Sequence, residues 1–129
     1  MKQQSIALVA AFNGCGQLLL LKRDQGRHCG GLWSFPGGKI EAGESAGAAA
    51  VRELYEETAL VATDWRLLGS HTFTYPDRHL VFTLFSCRCT DPDAAICESE
   101  YRWVESAALA DFPMPEANGV LVAMLAVAE

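Results

Sequence analysis

The stretch Gly38-Lys39-Ile40-Glu41-Ala42-Gly43-Glu44-Ser45-Ala46-Gly47-Ala48-Ala49-Ala50-Val51-Arg52-Glu53-Leu54-Tyr55-Glu56-Glu57-Thr58-Ala59-Leu60 decides how this chain is read. A glycine turn leads into Ala46 to Thr58, a run of strong helix formers with Ser45 in place as an N-cap. On that helix Glu53, Glu56 and Glu57 recur at i, i+3 and i+4. At about 100° per residue they crowd an arc of roughly 100° on one face. Like charges so close destabilise a bare helix. A hard cation offsets them, and Mg²⁺ accepts oxygen ligands in this way. The carbonyl of Gly37 or Gly38 can add a further oxygen, which gives the bare glycine turn before the helix a purpose. The segment therefore reads as a device for holding Mg²⁺ against a phosphate.

The spacing G-x5-E-x7-R-E-U-x-E-E-x-G-U, with U a bulky aliphatic, is the signature of the Nudix hydrolases, and this segment resembles it closely. Gly38, Glu44, Arg52, Glu53, Leu54, Glu56, Glu57 and Leu60 match, and only the second glycine differs, being Ala59. Helices often end on a left-handed residue at that place, where alanine costs about 1 kcal/mol more than glycine. Either the helix end relaxes or the fold absorbs the cost.

Composition sets bounds on the rest. The 129 residues suggest one domain, 1–129, with a single core, and half of them are apolar. The net charge of -6 and the absence of a basic run speak against a duplex nucleic-acid binder. An acidic protein acting on a polyphosphate needs a metal bridge or local Lys and Arg. No signal-like N-terminus and no long apolar stretch is present, so membrane insertion is not expected. The five cysteines, Cys15, Cys29, Cys87, Cys89 and Cys97, form no C-x-x-C pair and read as free thiols in a reducing cytoplasm. Cys87 and Cys89 alternate on a strand and are expected to be buried small side chains.

Along the chain, Gln4 to Phe12 and Gln17 to Arg23 read as strands around an Asn13-Gly14 turn. Asp24 to Gly31 reads as a loop, Trp33 to Phe35 as a short extended piece, and Pro36-Gly37-Gly38 as a sharp turn. Within the helix, Val51 and Leu54 are expected to face a sheet. Leu67 to Tyr75, Leu80 to Cys89 and Glu100 to Val104 read as further strands, with Trp103 in the core. Ser106 to Ala110 reads as a helical turn, and two prolines keep Asp111 to Pro115 from regular helix. Glu116 to Glu129 reads as a C-terminal amphipathic helix that packs through Val120, Leu121, Met124, Leu125 and Val127. This order suits an α/β fold, an α/β/α sandwich with a mixed sheet between helices. The family resemblance implies the same architecture.

For the chemistry, phosphoanhydride hydrolysis needs charge neutralisation, an oriented water and a base. Glu56 and Glu57 are the leading metal ligands, with Glu53 as ligand or base. Arg52 is placed to salt-bridge Glu56 at i+4. Glu44 is either a partner supporting this set or an ordinary acid near the helix start. The resemblance implies Mg²⁺, with Mn²⁺ as a substitute, and attack of water on an inner phosphorus that releases a nucleoside monophosphate and pyrophosphate. Relatives often carry another metal-binding glutamate six residues before the tryptophan that matches Trp103. That place holds Cys97, and Glu98 next to it is the substitute.

The resemblance continues outside this segment. Trp33-Ser34-Phe35-Pro36-Gly37-Gly38-Lys39-Ile40-Glu41, Tyr75-Pro76-Asp77-Arg78-His79 and Asp111-Phe112-Pro113-Met114-Pro115-Glu116-Ala117-Asn118 all look like the MutT branch, which sanitises oxidised guanine nucleotides. That branch implies 8-oxo-dGTP as substrate, in the service of DNA replication fidelity and repair, and a monomer. It implies that Asn118 reads the purine. A carboxamide offers a donor and an acceptor, and can pair with the O6 and N7–H edge of 8-oxoguanine. By the same carry-over Arg23, His28, Ser34, Phe35, Pro36, Gly37 and Arg78 contact the nucleotide, and Lys39 a phosphate. The residue-level alternatives are a helix cap for Asn118, surface charges for Arg23, Lys39 and Arg78, and core for Phe35. Competing functions are a CTP or modified-dCTP pyrophosphohydrolase, a hydrolase of other nucleoside diphosphate derivatives, and a non-catalytic Nudix-like binding module.

Overall fold

The structure is a computed structural model, and it describes residues 2–23, 31–115 and 118–128. Strand β1 (Lys2–Phe12) runs through the middle of the sheet. It pairs antiparallel with β2 (Leu18–Lys22) and β4 (Gly37–Lys39), and parallel with β6 (Arg78–Cys89). Strand β2 carries β3 (Trp33–Ser34) and β7 (Tyr101–Val104), and β5 (Ala62–Thr74) closes the far edge against β6. The sheet is mixed, as expected. Helix α1 (Ala46–Thr58) packs on β1, β4 and β6, and α2 (Asn118–Ala128) on β5.

The period of two along β1 creates both cores. Leu8 and Ala10 point to the face where Leu121 and Leu125 of α2 are buried with Phe35, Leu80, Phe82 and Leu84. Ala7, Val9 and Ala11 point to the opposite face, onto Ala49, Ala50 and Leu54 of α1. Small residues on that side let the helix lie close to the sheet. The closeness of α2 shows at Gly69, where an added Cβ would come 3.2 Å from Met124 Sδ. Trp103 is only half-buried and packs on the α1 side.

Several expectations need correction. The expected turn is confined to a bend at Pro36, after which Gly37, Gly38 and Lys39 pair with Leu8, Ala7 and Ile6. Gly37 has φ +150, and a Cβ there would collide with the Ala7 carbonyl oxygen, so only glycine allows the pairing. Strand β5 begins at Ala62, five residues before the expected Leu67. Register shifts between Thr63 and Arg66 and between Leu67 and Gly69 insert extra residues and destroy the alternation that marks a strand. Val51 is 48% exposed and does not face the sheet, whereas Leu54 is fully buried. The acidic flank of α1 is turned in against β4, which rotates Val51 on the other flank out to solvent. In α2, Leu121 and Leu125 are buried as expected, but Val120 is 39% exposed.

The C-terminus of α1 resolves the question posed by Ala59. It is left-handed, with φ 59 and ψ 13, and its amide bonds the Tyr55 carbonyl. The helix end does not relax. Buried Thr58 supports the turn: its hydroxyl donates to the Leu54 carbonyl at 2.6 Å and accepts from the Leu60 amide at 3.2 Å.

Candidate active site

A cleft of about 630 Å³ opens on the α2 face of the sheet and reaches the acidic flank of α1. Its floor is apolar: Ile6 and Leu8 from β1, Leu80 and Phe82 from β6, and Phe35 from the segment before β4. The lining also holds the carboxylates Glu53, Glu56, Glu57 and Glu98 and the basic side chains Lys22, Arg23, Lys39 and Arg78. This lining gives an acidic protein a local site in which an anion can meet cations, with acids present for a metal.

Glycine shapes the acidic end. An added Cβ at Gly38 would lie 2.7 Å from the Glu53 carboxyl carbon and both its oxygens, so the bare backbone makes room for that carboxylate. The Gly37 amide donates to Glu57 Oε1 at 2.7 Å. Arg52 is the hub of the set. Its Nε and Nη2 grip the two oxygens of Glu44 at 2.8 and 2.9 Å. Its Nη1 reaches Glu53 Oε1 at 2.9 Å and Glu56 Oε2 at 3.2 Å, and Nη2 also donates to the Lys39 carbonyl at 3.1 Å. The expected i+4 bridge is present, but the fork to Glu44 is the tighter contact, and it ties the loop before α1 to the helix. Arg52 lowers the Glu44 carboxyl to about 2, helped by the hydrogen bond from the Glu41 amide. Glu44 in turn pushes the Arg52 guanidinium further up. Neither Arg52 nor Glu44 lines the cleft; both stand behind the acids that do.

Among the described residues, no three His, Cys, Asp or Glu side chains converge at metal-binding distances. Glu53 and Glu56 turn to Arg52, and Glu57 turns to the Gly37 amide. The donor set itself is all oxygen and lines one cleft, which suits a hard divalent cation once the carboxylates swing from these partners. Cys97, at the place of the additional glutamate, is half-buried, and burial followed by the nearby Glu57 charge pushes its thiol up. Glu98 is exposed and lines the cleft.

Asn118, also in the lining, is 4% exposed and is the first residue of α2, with its backbone amide bonded to the Pro115 carbonyl at 2.9 Å. Among the described residues, neither its buried Nδ2 nor the buried Nε of Arg78 has a hydrogen-bond partner. The Arg78 guanidinium stacks 5.6 Å from the Tyr75 ring across the tight turn joining β5 to β6. Two orphaned donors on the wall of one cleft are costly unless a ligand meets them. Ser34 and the backbone of Gly37 also line the cleft, and Phe35 is both core and lining. Pro36 does not line it; its side chain is fully buried and its carbonyl accepts from the Val9 amide at 2.8 Å. His28 lies outside the described residues. The sequence reading missed Gln4, Lys22, Tyr75 and Ser99, all of which line the cleft. A polar residue at the inward period of β1 is a signal that could have found Gln4.

Residues 1–125 match the family model of the NUDIX domain. The chain belongs to the Nudix family. It is a Nudix hydrolase of α/β class. Among curated relatives, an 8-oxo-dGTP diphosphatase from Proteus vulgaris is 38% identical over 84 residues, 65% of this chain and 75% of that one. A CTP pyrophosphohydrolase from Escherichia coli is 45% identical over 56 residues, 43% of this chain and 42% of that one. A solved structure described as MutT from Aliivibrio salmonicida and Vibrio cholerae superposes with a TM-score of 0.73 at 31% identity, covering 99% of this chain and 100% of the other. The Proteus vulgaris 8-oxo-dGTP diphosphatase matches over more of this chain than the CTP pyrophosphohydrolase does. No described helix is long and apolar enough to cross a membrane. The described cysteines, Cys15, Cys87, Cys89 and Cys97, are free, and Cys87 and Cys89 are buried as expected.

Proposed function

We propose that this Nudix hydrolase cleaves 8-oxo-dGTP to 8-oxo-dGMP and pyrophosphate with Mg²⁺, and accepts Mn²⁺ as a substitute. Such an activity removes oxidised guanine from the nucleotide pool before DNA replication. The whole chain, 1–129, then acts as one catalytic domain, as a monomer in the cytoplasm. The observation that carries the reading is the buried Nδ2 of Asn118, without a partner among the described residues, in the lining of a cleft that has an apolar floor and also holds the acidic residues. An aromatic and aliphatic floor takes a base; the basic side chains take phosphates.

Glu56 and Glu57 would hold the cation, with the Gly37 or Gly38 carbonyl and Glu98 as further oxygen donors, and with Glu53 close enough to serve as ligand or base. When bound, a divalent cation there would supply charge neutralisation at the polyphosphate and acidification of the attacking water. As base, Glu53 takes the water's proton. Arg52 engages only Oε1 of Glu53 and holds Glu53 and Glu56 in register, while Glu44 and the Lys39 carbonyl anchor Arg52 itself. Arg23 and His28 contact the nucleotide, and Lys39 meets a phosphate. Phe35 flanks the base, Arg78 stacks or bonds it, and the backbone from Ser34 to Gly37 borders the nucleotide. The Asn118 carboxamide spans O6 and N7–H of the oxidised base. Ordinary guanine presents acceptors at both O6 and N7, so it leaves Oδ1 facing an acceptor.

The test is pyrophosphate release from 8-oxo-dGTP with and without Mg²⁺, with orthophosphate measured in parallel. Metal-dependent pyrophosphate and no orthophosphate are expected. Orthophosphate as the product, or the same rate in chelator, contradicts the reading.

The cytidine alternative has one observation behind it, the high identity to a CTP pyrophosphohydrolase over its shorter match. Asn118 weighs against it, because that branch tends to carry an aspartate there.

A further inference from the structure

Gln4 lies on β1 two residues before Ile6 and four before Leu8, so the strand period directs all three to one face. In the parallel pairing with β6, Gln4 sits beside Leu80 and Ile6 beside Phe82. Leu80, Phe82, Ile6 and Leu8 are the floor of the cleft, and Gln4 lines it with them. The next pair along this ladder carries Arg78, whose Nε is one of the two orphaned buried donors. Gln4 thus stands where the apolar floor gives way to Arg78, at the edge of the cleft. Its half-buried carboxamide makes no hydrogen bond within the described residues. A polar group at such a position costs stability unless something meets it.

We infer that Gln4 is a specificity-determining residue whose Oε1 accepts a hydrogen bond from the 2-amino group of a bound guanine-type base. This rests on the proposed purine reading. With Asn118 engaged at O6 and N7, the guanine edge still open offers donors only, at N1 and the 2-amino group. A glutamine oxygen is the acceptor that this edge requires. Gln4 and Asn118 then grip opposite sides of one base, and the pair selects guanine over bases that lack the 2-amino group. A pyrimidine is too short to span both carboxamides.

The experiment compares steady-state kcat/KM for dGTP and dITP, which differ only in the 2-amino group, in the wild type, Gln4→Leu and Gln4→Glu. Thermal melts report folding, and Gln4→Met takes the place of Gln4→Leu should the branched side chain not fold. The wild type is expected to prefer dGTP by about 3- to 10-fold, the scale of one net hydrogen bond. Gln4→Leu should bring the ratio near one, mainly through KM. Gln4→Glu should keep the preference, because a carboxylate also accepts. An equal ratio for the wild type, an unchanged ratio in Gln4→Leu, or loss of preference in Gln4→Glu overturns the role of Gln4. The same panel includes 8-oxo-dGTP and CTP. A wild type that favours CTP removes the purine reading together with Gln4. A wild type that favours 8-oxo-dGTP, with no effect of Gln4→Leu on the dGTP to dITP ratio, removes Gln4 alone.

Discussion

Replacing Asn118 with alanine separates recognition from architecture, because the two roles move selectivity and stability differently. If the carboxamide reads O6 and N7–H, its loss removes a bidentate base contact worth about 1–3 kcal/mol. The ratio of kcat/KM for 8-oxo-dGTP over dGTP should fall by roughly 5- to 150-fold. Stability should not fall with it. Asn118 is already inside α2 rather than the residue before it, and its buried Nδ2 has no partner among the described residues. Removing an unsatisfied buried donor relieves a penalty of about 1–3 kcal/mol. The small void left behind and the better helix propensity of alanine act on a smaller scale and in opposite directions. The melting temperature should therefore hold or rise. A capping role predicts the reverse: about 1 kcal/mol of stability lost, several degrees of melting temperature, and selectivity intact. Paired kinetics and thermal melts on one preparation decide between them. An unchanged substrate ratio with a lowered melting temperature refutes the base-reading role.

Other consequences follow from the acidic end and from the helix terminus. Glu53→Gln should cut turnover by at least about a hundredfold while the protein stays folded, since the amide oxygen can still accept from Arg52 but the side chain no longer takes a proton or carries charge; near-normal turnover removes Glu53 from the mechanism. Ala59→Gly should raise stability by about 0.5–1 kcal/mol at unchanged turnover, because glycine adopts the left-handed φ of 59 without a Cβ penalty but loses more chain entropy; denaturant titration showing a loss would contradict the strain. Glu44 titrates at about 2 in the folded state against an ordinary 4.5, so the stability it contributes is present above pH 4.5 and is lost as pH falls towards 2. The stability of Glu44→Gln should vary less with pH across that window and converge with the wild type below it; parallel curves would show that the Arg52 contact contributes nothing.

The helix that carries the acids was the most legible part of this chain. Its N-cap at Ser45, its span and its left-handed end at Ala59 follow from local chemistry: a hydroxyl before a run of alanines, and a motif position that usually holds glycine. The two-sided core was legible too, because the unbroken apolar run of β1 suits a strand covered on both faces, as the sandwich reading requires. What stayed hidden depends on contacts distant in sequence. The bulges in β5 blur the period from which a strand is read. The pairing of Gly37 and Gly38 with β1 looks like a turn until the strand beside them is known. Val51 had an apolar label and a position next to Leu54, but the rotation of α1 is set by where its acidic flank must go. At the site, the motif gave the acids and Asn118. Gln4 and Lys22 carry no motif and gain meaning only from the cleft that they line. The fork between Arg52 and Glu44 spans eight positions of sequence and needed the folded loop to bring it together.

The central claim is that the cleft prefers oxidised guanine. Its most direct test is the set of kcat/KM values for 8-oxo-dGTP, dGTP, CTP and 5-methyl-dCTP, measured with Mg²⁺ on the wild-type chain. The account predicts that 8-oxo-dGTP leads dGTP by at least the roughly 5-fold that the low end of a bidentate contact supplies, and that both cytidine nucleotides trail. A higher value for CTP or 5-methyl-dCTP, or equal values for the two guanine nucleotides, would contradict it and leave the Nudix fold and family standing.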